Sequence, residues 1–376
     1  LSAAGNDFGE ILGATGSLTL VDQNSITVSS IGGGISSNAG NISLTATGTG
    51  ALTLNGNVNA GGGNVTLSAH GSITQPGGTL TANTVTASSS VGSISLDRNS
   101  NNFATARVTA SGASSVTIAD LGNLAISGSG GSLVASGSGT VTVDQILNFA
   151  GTVQLDAATG LTLADNLTAG GNVTMSSGGA GIQQTGGVLD VTGGTASFTG
   201  FGGTGDVLLG SAGNNFNVVN LSGRHITAVA GSGGMIVNSL SSGVNANVYL
   251  QAGTGGLILP GTAINAGTGQ VSLLSGSTLL GMGALTGSIV LVQAPSGISI
   301  TDNIAASSNL QMSSGVAGIT QTGGAIQVAG PSSFAAGTGP VSLTQPGNDF
   351  ASIGVTGGVV SLQDSNGVVL SGVSAA

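Results

Sequence analysis

Apolar residues along this chain come in pairs that flank a single polar one. Leu18 and Leu20 stand around Thr19, Ile42 and Leu44 around Ser43, Leu52 and Leu54 around Thr53, and Val65 and Leu67 around Thr66. The same triad returns around Ser95, Thr142, Thr162, Ser272, Ser299 and Ser342. Period two marks a strand with one face buried and the other wet. Successive triads lie roughly 8 to 13 residues apart, separated by Gly, Ser, Asn and Asp, the residues that make turns. No stripe of helical period is long enough to form a helix. No apolar run approaches the roughly 18 residues of a membrane-spanning helix. The pattern predicts an all-β chain without substantial helix and without membrane insertion.

A longer period lies over the short one. Three segments open on Ile-x-Gln followed by a Gly-Gly pair, at Gln75, Gln184 and Gln321, and close on Asn-x-Phe, at Asn101 and Phe103, Asn214 and Phe216, and Asn348 and Phe350. From Gln to Phe they span 28, 32 and 29 residues. The segment from Leu1 to Phe8, with Asn6 and Phe8, matches only the closing half of the plan, as in Leu343 to Phe350. Between these copies a second motif recurs at 51–67, 160–175, 256–273 and 297–312, reading strand, turn, short strand, glycine corner, strand. Self-similarity at fixed spacing is the mark of a repeat architecture. From each Phe to the next Gln the distance grows from 67 to 81 to 105 residues, increments near one turn of a coil. A solenoid accepts whole added coils and a closed barrel does not. The expectation is one continuous solenoid over 1–376, a window on a longer array, in modules 1–95, 96–208, 209–342 and a partial 343–376. At two or three strands per circuit of about 18 to 22 residues, it makes roughly twenty coils in a rod of roughly 90 Å.

Composition narrows the picture. There are 71 Gly, no Cys, no Trp, one Tyr and eight Phe; 39% of residues are hydrophobic and 4% charged. Disorder goes with low hydrophobicity and high charge, the reverse of this chain. Absence of Cys removes disulfides and thiolate metal sites. A net charge of −10, with three Arg and no Lys, does not attract nucleic acid. Parallel stacking accounts for the scarcity of charge, since like charges one strand spacing apart repel by about 0.9 kcal/mol even at the dielectric of water. Asn can instead bond to the Asn above it in an amide ladder. Glycine serves corners that need positive φ or close backbone approach. The matching Phe residues, with Phe149 and the pair Phe198 and Phe334, read as fillers of each module's wide core.

Candidate chemistry is sparse. Asp22, Asp120 and Asp364 follow their Asn-x-Phe at 14, 17 and 14 residues, while the aligned place in the third module is Ala230. With Asp165 and Asp302 they suggest a calcium ladder, or turn residues that bond their own backbone. Gly202 to Asp206 is a lone near miss of a calcium-binding repeat. Asp97 and Arg98 are neighbours and point to opposite faces of a strand. His70 and His225 sit at turns or strand edges. No set of acids and bases suited to glycoside cleavage converges in the sequence. Thr-x-Thr at Thr45, Thr79, Thr84 and Thr140 does not recur at one coil phase, as a flat ice-binding array would. Tyr249, within the irregular region from Arg224 to Gln251, is the first place to look for a loop that binds a sugar or host protein.

The run Ile-Thr-Gln-Thr/Pro-Gly-Gly at Gln75 and Gln321, the strand Val341 to Leu343 followed by Gly347 to Phe350, and the strand from Val360 to Asp364 resemble the β-strand-repeat shafts of large bacterial adhesins, the filamentous-haemagglutinin-like exoproteins. That resemblance implies a secreted, right-handed parallel β-helix at the bacterial cell surface, structural rather than enzymatic. It implies no catalytic residue, cofactor or metal. The implied partners are copies of itself or further repeats end to end, with host or surface glycans as a second class. The alternatives are a polysaccharide-degrading enzyme passenger on the same scaffold, and an ice-binding or direct glycan-binding solenoid.

Overall fold

The computed structural model describes residues 5–201 and 204–375, those at 14, 15 and 375 without their side chains. Leu1, and Gly202 and Gly203 of the calcium near miss, lie outside the described residues. The chain is an all-β parallel solenoid of about 17 turns, against the roughly twenty expected. The circuits nearest the N-terminus run slightly above the roughly 18 to 22 residues expected. Leu18 pairs with Ile42, Ile42 with Val65, and Val65 with Val85, steps of 24, 23 and 20 residues. A 3-10 turn spans Ile31–Gly33, and among the described residues no helix is long and apolar enough to cross a membrane.

Contacts divide the chain into two units, Leu1–Gly178 with Gln184–Gly194, and Gly179–Gln183 with Thr195–Ala376. In the first unit, strands stack in parallel so that like meets like. Leu20, Leu44, Leu67, Ala87 and Val108 lie in one inward column, and Ile26, Leu52, Ile73, Ile94, Val116 and Leu133 in another. All are at most 2% exposed. Hydroxyl residues form the outward columns: Thr19, Ser43, Thr66 and Thr86 in one, Thr45, Ser68, Ser88 and Thr109 in the next. So hydroxyls do share a coil phase, as a Ser and Thr mixture that a search for Thr-x-Thr misses. In the second unit Val207, Ile226, Val248, Val271, Val290 and Leu310 form one buried column. Ile298, Ile319 and Val341 form another.

The recurring 51–67 motif folds as read, into Leu52–Leu54, Asn57–Asn59 and Val65–Ala69. In the copy at 297–312, Ser307 and Ser308 replace the glycine corner and one strand, Ile304–Ser314, runs through it.

Backbone apposition explains the Gly-Gly pair after each Gln. Gly78, Gly187 and Gly324 have φ of 62°, 62° and 65°. A Cβ there would lie 2.3, 2.2 and 2.2 Å from the carbonyl carbon of Gly56, Asp165 and Asp302 on the coil before. Only glycine meets both demands. Beside each corner an Asn on the coil before supplies a bracket. The Oδ1 of Asn57, Asn166 and Asn303 accepts the N–H of Thr79, Val188 and Ala325, each at 2.8 Å. Asn41, Asn123, Asn245 and Asn247 do the same for the N–H of Asn64, Thr140, Thr268 and Gln270 at 2.9 Å. Asn thus bridges coils mainly by side chain to backbone, where stacking alone suggests amide on amide. Asn238 on Asn220, at 2.9 Å, is of the stacked kind.

Candidate functional site

The repeat positions converge on a polar knot inside the core. Asn101 is 0% exposed and uses all four of its amide bonds. Its Oδ1 accepts Gln75 Nε2 at 2.7 Å and the Leu80 N–H at 2.9 Å; its Nδ2 donates to Gln75 Oε1 at 2.9 Å and to the Leu96 carbonyl at 3.1 Å. Asn348 in the second unit reproduces the arrangement bond for bond. Its Oδ1 accepts Gln321 Nε2 at 2.8 Å and the Ile326 N–H at 2.9 Å, and its Nδ2 donates to Gln321 Oε1 at 2.8 Å and Leu343 O at 3.3 Å. Gln321 Nε2 also donates to Gly324 O at 3.0 Å, and in the first unit Gln184 Nε2 donates to Gly187 O at 3.2 Å. Gln75 and Gln321 therefore each tie their own glycine corner to the Asn that closes the module. Asn214, 0% exposed, accepts the Gly231 N–H at its carbonyl at 2.7 Å.

The aspartates complete the same assembly. The Asn carbonyls of residues 6, 101, 214 and 348 accept the N–H of Gln23, Leu121, Gly231 and Ser365, at 2.7 to 3.0 Å, which aligns Asp22, Asp120, Ala230 and Asp364 in space as in sequence. Asp120 accepts the Phe103 N–H at 2.8 Å with one oxygen and the Gly122 N–H at 2.6 Å with the other. Asp364 accepts the Phe350 N–H at 2.9 Å and the Asn366 N–H at 3.2 Å. Asp22 accepts the N–H of Phe8 and, at 2.7 Å, that of Asn24. Each carboxylate makes an Asx turn with the residue two ahead and pins the Phe of the coil before. With both oxygens so engaged, these aspartates act as turn residues. Among the described residues no group of three or more His, Asp or Glu could hold a metal ion. Asp120 is 3% exposed, and burial pushes its carboxyl above the usual range against the opposing pull of the backbone N–H groups around it.

Phe103, Phe149, Phe198, Phe216, Phe334 and Phe350 are all at most 1% exposed. In the second unit Phe198 meets Phe216 edge to face, ring centroids 6.3 Å apart, and Phe334 meets Phe350 at 5.9 Å. Phe8 is half-buried and Phe201 is exposed.

Among the other candidates, Arg98 reaches the Pro76 carbonyl at 3.4 Å and leaves Asp97 exposed. His225 accepts the Asn247 N–H on Nδ1 at 2.9 Å, and its backbone N–H donates to Asp206 at 3.1 Å. Arg224 grips Asp206 with two bonds, at 2.9 and 3.1 Å, which holds that carboxyl below its usual range. The Tyr249 hydroxyl donates to Gln251.

One constellation escaped the sequence reading. In the first unit Arg107, Ser127, Gln145 and Asp165 line an open cleft of about 470 Å³. Arg107 bonds Ser127 Oγ at 3.3 Å and Gln145 Oε1, and stands 3.9 Å from Asp144. Residues 38 apart in sequence meet there because the strands Asn102–Ala110, Leu124–Gly130 and Val141–Phe149 stack directly. The available signal was the Asp144 to Ile146 segment, charged and bulky where neighbouring strands carry small polar residues.

Stacked parallel coils pinned by internal amide and carboxylate brackets define a repeat β-solenoid. The chain belongs to the family described as repeats of unknown function (DUF5649), whose model matches residues 39–111, 150–222 and 286–356, more than half its length. Each matched stretch contains one Gln-to-Phe segment with its amide and Phe positions. No curated protein and no solved structure matches the chain.

Proposed function

We propose that this chain is a length of the shaft of an extracellular bacterial adhesin or surface filament, with a mechanical role: to project and to span. The observation that carries the reading is the use of the recurring polar side chains. Gln75 and Asn101, Gln321 and Asn348, and Asp22, Asp120 and Asp364 bind one coil to the next. A repeat whose polar positions join coils can be lengthened module by module without altering a site. Family membership as a repeat and the resemblance to adhesin shafts support the same reading. On this reading the neighbours of the chain along the fibre are further repeats of the same polypeptide or copies of it, and the chain itself catalyses nothing.

The test is immunogold electron microscopy of intact bacteria that make the full-length product carrying this chain, together with negative-stain images of the purified product. Label displaced outward from the cell envelope, on slender rods whose length scales with the number of repeats, is the expected result. Label confined to the cytoplasm, or compact isolated particles only, overturns it.

A further inference from the structure

We infer that the cleft around Arg107 is a binding site for a neutral glycan chain, a role independent of the shaft reading. The face of the first unit is otherwise a flat stack of short polar side chains, and one irregularity breaks it. Ile126 pairs with Val143 but Gly128 with Leu147, so two steps on one strand face four on the next. Asp144, Gln145 and Ile146 are left outside the ladder, and Gln145 and Ile146 line the cleft. Bulges of this kind re-aim side chains. The floor beneath is bare backbone, because a Cβ on Gly128 would lie 1.8 Å from Val108 O. Arg107 and Thr109 stand on one side, and Gln145, Ile146 and Asp165 on the other. The volume, about 470 Å³, falls within the roughly 300–1,000 Å³ usual for small-ligand sites.

The lining matches the chemistry of a sugar. The guanidinium of Arg107 and the carboxamide of Gln145, bonded to each other across the cleft, keep further donors and an acceptor lone pair for ligand hydroxyls. Asp165 spends one oxygen on the Asn166 N–H at 2.7 Å, and the carboxylate keeps further acceptor capacity for a ligand hydroxyl. Asp144 Oδ1 is shielded from water and has no hydrogen-bond partner, while the other oxygen, Oδ2, makes a loose ion pair to Arg107 at 3.9 Å. Ile146, 56% exposed, offers an apolar surface for the C–H face of a sugar ring. Two carboxylates beside one guanidinium, on a chain of net charge −10, disfavour an anionic ligand. Thr86 and Ser88, on the coil before Arg107 and Thr109, extend the hydroxyl surface away from the cleft, so a polymer gains contacts that a single sugar does not.

The experiment is affinity electrophoresis of the whole chain in native gels containing mannan, dextran, hydroxyethylcellulose or polygalacturonate. Retardation by at least one of the three neutral polymers is expected, with little by polygalacturonate. Arg107→Ala and Gln145→Ala are expected to weaken it at least tenfold, and Arg98→Ala to leave it unchanged. Gln145 lies outside the strand ladder, so its variant carries the test if circular dichroism shows that Arg107→Ala misfolds. Four results each overturn the proposal: no retardation by any neutral polymer, equal retardation of wild type and the cleft variants, preference for polygalacturonate, or release of reducing ends abolished by Asp144→Ala.

Discussion

A buried amide has two donors and two acceptors to satisfy, and Asn101 satisfies all of them within two coils. Replacing it with Ala strands the Gln75 amide, the Leu80 N–H and the Leu96 carbonyl, each worth about 1–3 kcal/mol when left unpaired in the core. Asn101→Ala is therefore expected to destabilise by about 3 kcal/mol or more in urea unfolding. Combining it with Gln75→Leu should cost less than the sum of the two single changes, with a coupling of about 1–3 kcal/mol in a double-mutant cycle. Asp120 allows a test with a defined pH sign. Its carboxyl titrates above the ordinary range, so the folded chain holds that proton more tightly than the unfolded chain. Stability from this group is whole below the ordinary aspartate value of about 3.9 and declines as pH rises through the raised one. Asp120→Ala removes the slope, as Ala230 does at the matching place. The gap in melting temperature between wild type and variant should be widest below about pH 4 and narrow as pH rises. A gap that widens with pH would show that the N–H bonds to Phe103 and Gly122 outweigh burial.

At the scale of the strand and corner, much was legible in the sequence, because period two is a local signal and glycine is a strong punctuator. Leu52–Leu54, Asn57–Asn59 and Val65–Ala69 follow from ALTLNGNVNAGGGNVTL almost residue by residue. What could not be read was the partner across the coil. Gln75 and Asn101 stood out as repeated positions, but nothing within either segment says that their amides meet. Arg107 and Asp144 share no motif and meet only because their strands stack on either side of Leu124–Gly130. The strand Ile304–Ser314 shows the same limit, for a corner expected from its sister motifs is absent where serines replace glycines. The glycine corners themselves can be tested by comparison. Gly78 and Gly112 have nearly equal φ, 62° and 61°, but a Cβ on Gly78 would strike the coil before while one on Gly112 would meet open space. Gly112→Ala should cost only the strain of a left-handed Ala, about 1–2 kcal/mol. Gly78→Ala must add backbone displacement, and its urea midpoint should fall well below that of Gly112→Ala.

Stacking of like on like, extended over many coils, explains both the composition and the way each unit should come apart. Columns of Leu, Ile and Val inward and Ser and Thr outward can be continued indefinitely, whereas a column of Asp cannot. The charged side chains are accordingly few, and the recurring Asp22, Asp120 and Asp364 stand far apart along the chain. In an array of this kind stability is a sum of terms within each repeat and between nearest neighbours. Within the first unit, the Asn101 knot joins the coil of Leu80–Ser89 to that of Asn102–Ala110. Hydrogen exchange on Asn101→Ala should therefore show the greatest loss of protection in those two strands. Loss should be smaller in Ile42–Ala46 and Val153–Ala157, and should decline with coil separation in either direction. Equal loss across all four strands would mean that the first unit opens as a single cooperative block, with coupling between coils strong enough to hide its modular construction.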